Sequence, residues 1–209
     1  MKMKYDSIIF DMDGTIWDTE KQVCEAWNTV LADAGHPKRV TGEELAGYMG
    51  LPMTEIARKM FNTDNYEEVA ELFERCLQYE NEYIAAHGAI LYPDLINTLE
   101  ALSAKIPLFI ASNCQSGYIE AFFDAYDTKK YFRDYICFGD NKKLKDHNIR
   151  LLVERNGLKS PVYIGDTKGD GASAKAAGID FVWASYGFGH ADEYVARVDC
   201  FADIPRIIS

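Results

Sequence analysis

Five short apolar runs limit what this chain can fold into. Residues 7–10, 108–112, 135–138, 162–165 and 181–184 are mostly too short and too evenly apolar to be strands with one wet face. They read as buried parallel strands covered on both sides. Helical patterns stand between them at residues 94–104, 117–126, 148–156 and 169–177. Pro93 suits the start of the first, and Gly157 and Gly178 suit the ends of the last two. Alternation of this kind predicts an α/β fold with a doubly wound, Rossmann-like parallel sheet. With 48% hydrophobic residues among 209, the chain can bury such a core as one domain, alone or with a small insertion.

The rhythm breaks once. Residues 18–87 hold no strand candidate. Val23, Ala26, Trp27, Val30, Leu31 and Ala34 recur at helical spacing, and Gly35 and Pro37 end that helix. Val69, Leu72, Phe73, Cys76, Tyr83 and Ile84 form a second stripe, and two shorter helices are expected near residues 43–48 and 53–61. The expected organisation is a core of residues 1–16 and 88–209, with an all-helical cap, residues 17–87, inserted after the first strand.

Polar groups gather where the strands end. Asp11 and Asp13 follow the first strand, Ser112 and Asn113 the second, and Asp166 and Asp170 the fourth. Open parallel sheets bind ligands beyond their carboxyl ends, so these residues are expected to share one site. Residues i and i+2 of an extended segment face the same side, so Asp11 and Asp13 can address one pocket. Like charges about 4 Å apart repel by roughly 4 kcal/mol at an effective dielectric near 20. Gathered carboxylates therefore need a counter-charge. An all-oxygen ligand set suits a hard cation, foremost Mg²⁺. Gly14 allows close backbone approach, and Thr15 adds a hydroxyl to a turn suited to phosphate oxygens.

These stretches, DMDGT at 11–15, SN at 112–113, a lysine, and GDTKGD at 165–170, resemble the haloacid dehalogenase superfamily, in its order. The resemblance is to the helical-cap subgroup that includes phosphoglycolate phosphatase and β-phosphoglucomutase. It implies that Asp11 is the nucleophile, forming an aspartyl-phosphate, and that Asp13 is the acid and then the base. It also implies a Mg²⁺ site built from Asp11, the Asp13 backbone carbonyl, Asp166 and Asp170, with Ser112 and Asn113 holding phosphate oxygens. A helix N-terminal role for Asp170 stands beside that reading. The lysine falls within NKKLKDHNIR. Lys145 is chosen because it stands three residues before the expected helix start at Asn148, and Lys143 is its rival. The implied function is a Mg²⁺-dependent phosphatase for a small phosphomonoester metabolite. A phosphomutase using the same residues is the alternative.

Charge narrows the partners. With 22 basic and 33 acidic residues the net charge is -11, which disfavours nucleic acid and anionic membranes. Five scattered cysteines with no CxxC pair suit reduced thiols in the cytoplasm. The opening MKMKYDSIIF lacks a signal-peptide pattern, and no run approaches membrane-span length. Asp18 is expected to cap the first cap helix, Tyr186-Gly187-Phe188-Gly189 to be a plain turn, and Cys114 to be inert. The four histidines have no ligand spacing. Oligomeric state is not legible.

Overall fold

The computed structural model describes residues 4–208. The outermost positions of the expected core and of the N-terminal segment, residues 1–3 and 209, fall outside it. In chain order the strands are β1 (Ser7–Phe10), β2 (Trp17–Asp18), β3 (Ile90–Leu91), β4 (Leu108–Ser112), β5 (Phe132–Cys137), β6 (Pro161–Gly165), β7 (Asp180–Ala184) and β8 (Ala196–Val198). The helices are α1 (Glu20–Asp33), α2 (Gly42–Ala46), α3 (Met53–Phe61), α4 (Ala70–His87), α5 (Leu95–Ser103), α6 (Tyr118–Tyr126), α7 (Phe138–Asn141), α8 (Lys145–Asn156), α9 (Lys168–Ala177) and α10 (Ile204–Ile207).

Six strands form one parallel sheet in the order β5-β4-β1-β6-β7-β8. The doubly wound core expected from alternation is present. Strand β1 lies at its centre, paired with β4 through Ile9↔Phe109 and with β6 through Ile9↔Tyr163. All four residues of β1 are buried, which explains its unbroken apolar run. The chain order reverses on the two sides of β1, so the crevice for a ligand opens at its carboxyl end.

The main differences lie at edges. Strand β5 begins at Phe132, earlier than expected, because exposed Arg133 and half-buried Asp134, which pairs with Arg155 of α8, interrupt its apolar run. Phe138, assigned to that strand from the sequence, opens α7 instead. Strand β8 has only three residues, with Arg197 exposed at its middle, and was not anticipated. Helix α8 starts at Lys145, three residues before the expected start.

Four helices, α1 to α4, lie between β2 and β3. These two strands pair antiparallel, Trp17 with Leu91 and Asp18 with Ile90, so the two chain crossings are clipped together. Helices α1 and α4 pack on each other, and Trp27 meets Phe73 edge-on at 5.5 Å. Helix α4 also packs on α6 of the core. No helix among the described residues is long and apolar enough to cross a membrane.

Candidate active site

Strand β1 delivers Asp11 to the rim, and its N–H donates to the Ile164 carbonyl of β6 at 2.9 Å. The chain then turns. Gly14 adopts φ +75, and a Cβ there would lie 2.2 Å from Asp166 Oδ2. Only glycine lets the turn pass this close to Asp166. Within the turn the Gly14 N–H donates to Trp17 O (2.9 Å) and the Thr15 N–H to Met12 O (3.1 Å). These two amides serve the turn, not an open phosphate cradle as expected from the sequence. The Thr15 hydroxyl is buried with no protein partner.

Carboxylates of Asp11, Asp166 and Asp170 offer oxygens that all lie within 4.8 Å of one another, and all three residues are buried. Lys145 stands among them, 2% exposed, with Nζ 2.8 Å from Asp11 Oδ1 and 2.6 Å from Asp170 Oδ1. Its rival Lys143 is exposed. Burial alone would lower the Lys145 pKa, but Asp11 and Asp170 together hold it above the usual lysine value. Asp170 also closes a capping box at the start of α9, its Oδ2 accepting from the Thr167 N–H (2.9 Å) and Thr167 Oγ1 (2.7 Å). Its capping and cluster roles are therefore compatible.

Asp166 is held by a loop that sequence reasoning had set aside. The N–H groups of Phe188 and Gly189 donate to its Oδ2 at 2.8 and 3.1 Å. A Cβ on Gly187 would lie 2.2 Å from Gly14 O, so glycine is required where the two turns meet. The usable signal was the spacing of Gly187 and Gly189 just after β7. Asp166 Oδ1 is buried and has no protein partner. Burial raises the Asp166 pKa well above the ordinary carboxylate value, and the charges of Asp170 and Asp11 raise it further. Burial, then the Asp170 charge, pushes Asp11 up to about 7 against the pull of Lys145. An unpartnered oxygen, three crowded carboxylates and one lysine fit a hard divalent cation such as Mg²⁺.

Asp13 lives in a different setting. Its side chain stands apart from that trio. Tyr118 OH donates to its Oδ1 at 2.5 Å and Thr19 Oγ1 donates to the same atom at 2.8 Å. Burial raises its pKa, while these two hydroxyls pull the other way. Neither Thr19 nor Tyr118 carried a sequence signal, because one precedes a helix and the other opens one 105 residues away. The N-cap of α1 is Thr19, not Asp18 as expected; Asp18 stands one residue earlier, where its Oδ1 accepts from the Glu20 N–H at 3.1 Å.

Ser112 is buried at the end of β4. The next residue, Asn113, reaches across to the helical insertion, its Nδ2 donating to Gly50 O at 2.9 Å. Beneath the insertion lies a cavity of about 40 Å³ lined by Asp13, Cys114, Gln115 and Tyr118 from the core and by residues of α1 to α4. Those of α4 include Glu80, which is 4% exposed and accepts from Trp27 Nε1 at 2.5 Å. Burial drives Glu80 up to about 8, against the pull of Trp27 and Gln115.

Residues 8–184 match the family model of haloacid dehalogenase-like hydrolases. This chain belongs to that family. It is 27% identical over 199 residues to the phosphoglycolate phosphatase of Aliivibrio fischeri, covering 88% of this chain and 86% of that one. Its fold matches a structure described as a predicted phosphoglycolate phosphatase from Haemophilus somnus 129PT, with a TM-score of 0.83, 22% identity and 99% of both chains covered. A haloacid dehalogenase-like family hydrolase from Streptococcus pneumoniae matches with a TM-score of 0.79 at 22% identity, again over 99% of both chains. The protein is thus a hydrolase, and the four stretches quoted from its sequence lie within the matched span.

Proposed function

We propose that the protein is a cytoplasmic, Mg²⁺-dependent phosphatase that hydrolyses a small phosphomonoester through an aspartyl-phosphate. The observation that carries this reading is the contrast between two carboxylates of one turn. Asp11 sits with Asp166, Asp170 and Lys145, and Asp13 sits under two hydroxyls. One environment suits a charged nucleophile and the other a carboxyl that holds and releases a proton.

An Asp11 oxygen attacks phosphorus, and the bond to the leaving oxygen breaks as Asp13 protonates that oxygen. Asp13, now ionised, takes a proton from water, and the hydroxide displaces Asp11 and frees inorganic phosphate. Lys145 offsets negative charge beside Asp11, and Ser112 and Asn113 hold phosphate oxygens. Asp11, Asp166, Asp170 and the Asp13 backbone carbonyl would hold Mg²⁺, whose charge favours ionised Asp11 and neutralises phosphate oxygens. Residues 17–87 act as a cap that excludes bulk water and selects the leaving group. The Asn113 to Gly50 hydrogen bond supports that role, because it ties the phosphate strand to the insertion.

The test is phosphate release from 4-nitrophenyl phosphate by purified protein. Activity with Mg²⁺ and its loss in EDTA are expected. Turnover that persists in EDTA refutes the metal requirement, and a sugar monophosphate converted to its positional isomer without phosphate release points to a mutase.

A further inference from the structure

The cavity under the insertion says what kind of alcohol the phosphate is attached to. The buried face of α4 reads Phe73, Cys76, Leu77, Glu80 and Ile84. At Glu80 the helical period calls for an apolar side chain. A carboxyl there, 4% exposed, costs free energy unless something is gained by it. The groups that hydrogen-bond it are neutral, the Trp27 indole and the Gln115 amide. No lysine, arginine or histidine is among the described residues that line the cavity, whereas Asp13 and Glu80 both line it. The basic residues Arg75 and Lys142 belong to a separate outer groove, divided from the cavity by Met53 and Gln115, which line both.

Resting on the phosphatase reading, we infer that Glu80 selects leaving groups that bear a hydrogen-bond donor, a hydroxyl or an ammonium, and rejects those that bear a carboxylate. Asp13 must meet the leaving oxygen, so the rest of the leaving group extends into the cavity that Asp13 and Glu80 share. A hydroxyl there satisfies the acceptor oxygens of Glu80, and an ammonium pairs with its charge. A substrate carboxylate would be buried beside two acids with no cation to meet it, in a site already rich in aspartates. Phosphoglycolate, which ends in a carboxylate, is therefore a poor substrate here, although the Aliivibrio fischeri relative bears its name.

Three esters of similar length separate the cases: 2-hydroxyethyl phosphate, 2-aminoethyl phosphate and phosphoglycolate. Their Kd values are measured by calorimetry with Mg²⁺ on Asp11→Asn protein, so that binding is read without turnover. At least one donor-bearing ester is expected to bind ~10-fold or more tightly than phosphoglycolate, and comparison of the two donors tells hydroxyl from ammonium. Adding Glu80→Gln is expected to shrink that ratio by roughly threefold or more, mainly by strengthening phosphoglycolate. Phosphoglycolate binding as tightly as both donors overturns the inference, and so does a ratio that Glu80→Gln leaves unchanged. If Glu80→Gln does not fold, the ordering on the Asp11→Asn protein decides alone. Failure of the wild type to hydrolyse 4-nitrophenyl phosphate would count against the phosphatase reading and not against this ordering.

Discussion

The core and the helical insertion each bury carboxylates, and they compensate them in opposite ways. At the rim of the sheet, Asp11, Asp166 and Asp170 are met by Lys145, by the Phe188 and Gly189 N–H groups and by the capping box of α9. In the insertion, Glu80 meets a neutral indole and a neutral amide, with no cation among the described residues that line its cavity. The first arrangement, once a divalent cation joins the lysine, suits acids that must be charged in use. The second suits an acid that keeps its proton until a ligand arrives. Burial is shared by both, so the partners make the difference.

The largest test of that contrast is Asp11→Asn. Phosphate release is expected to fall to background, by ~10⁴-fold or more, with the circular dichroism spectrum unchanged. Retained turnover would remove Asp11 from the nucleophile's role. Next, Lys145→Met makes the core resemble the insertion. Breaking a buried pair costs ~3–5 kcal/mol. Urea unfolding without divalent ions should show a loss of that order, with Mg²⁺ restoring part of it. A variant as stable as the native protein would mean the aspartates never needed the lysine.

Asp13→Asn is expected to slow turnover by ~10²–10⁴-fold and to flatten one limb of the pH profile. Tyr118→Phe should do less, because Thr19 still donates to Asp13. An equal loss in both variants would show that Tyr118 acts in its own right.

The smallest effect is read on the other side of the contrast. The Glu80 pKa rises from 4.5 to about 8, so the folded protein holds a proton that the unfolded chain sheds. That stabilisation is fully present below pH 4.5 and is lost as pH rises to about 8. At ~1.4 kcal/mol per unit, the loss reaches a few kcal/mol. Glu80→Gln has no such proton, so its stability relative to the native protein should rise between pH 5 and 8 in urea melts. A constant gap would place Glu80 with the compensated acids.

Much of the core was legible because its signals are local. An even apolar run followed by DMDGT marks a buried strand and what stands at its end, and Ser112, Asp166 and Asp170 could be placed by the same rule. What stayed hidden depends on contacts distant in the chain. Tyr118 reaches Asp13 across 105 residues, and Phe188 and Gly189 reach Asp166 from a loop that looked ordinary. Strand β8 is too short and too exposed to show a period. Glu80 was missed for a different reason. The α4 stripe was traced through its apolar members, and a charged residue on the same face, at the spacing of Phe73, Cys76 and Ile84, was passed over. Among the lysines of NKKLKDHNIR, choosing between Lys145 and Lys143 depended on where one helix begins, and helix ends are weakly specified by a single sequence.

The pairing of β2 with β3 has a consequence for how such enzymes diversify. Trp17 lies beside Leu91 and Asp18 beside Ile90, so seventy-odd residues depart from and return to the sheet through neighbouring rungs of one small ladder. The covalent path from the catalytic rim to the insertion then runs through that ladder. Another insert of different length or shape could be grafted onto the same two rungs without moving Asp11 or Asp166, so the choice of substrate can change while the chemistry stays where it is.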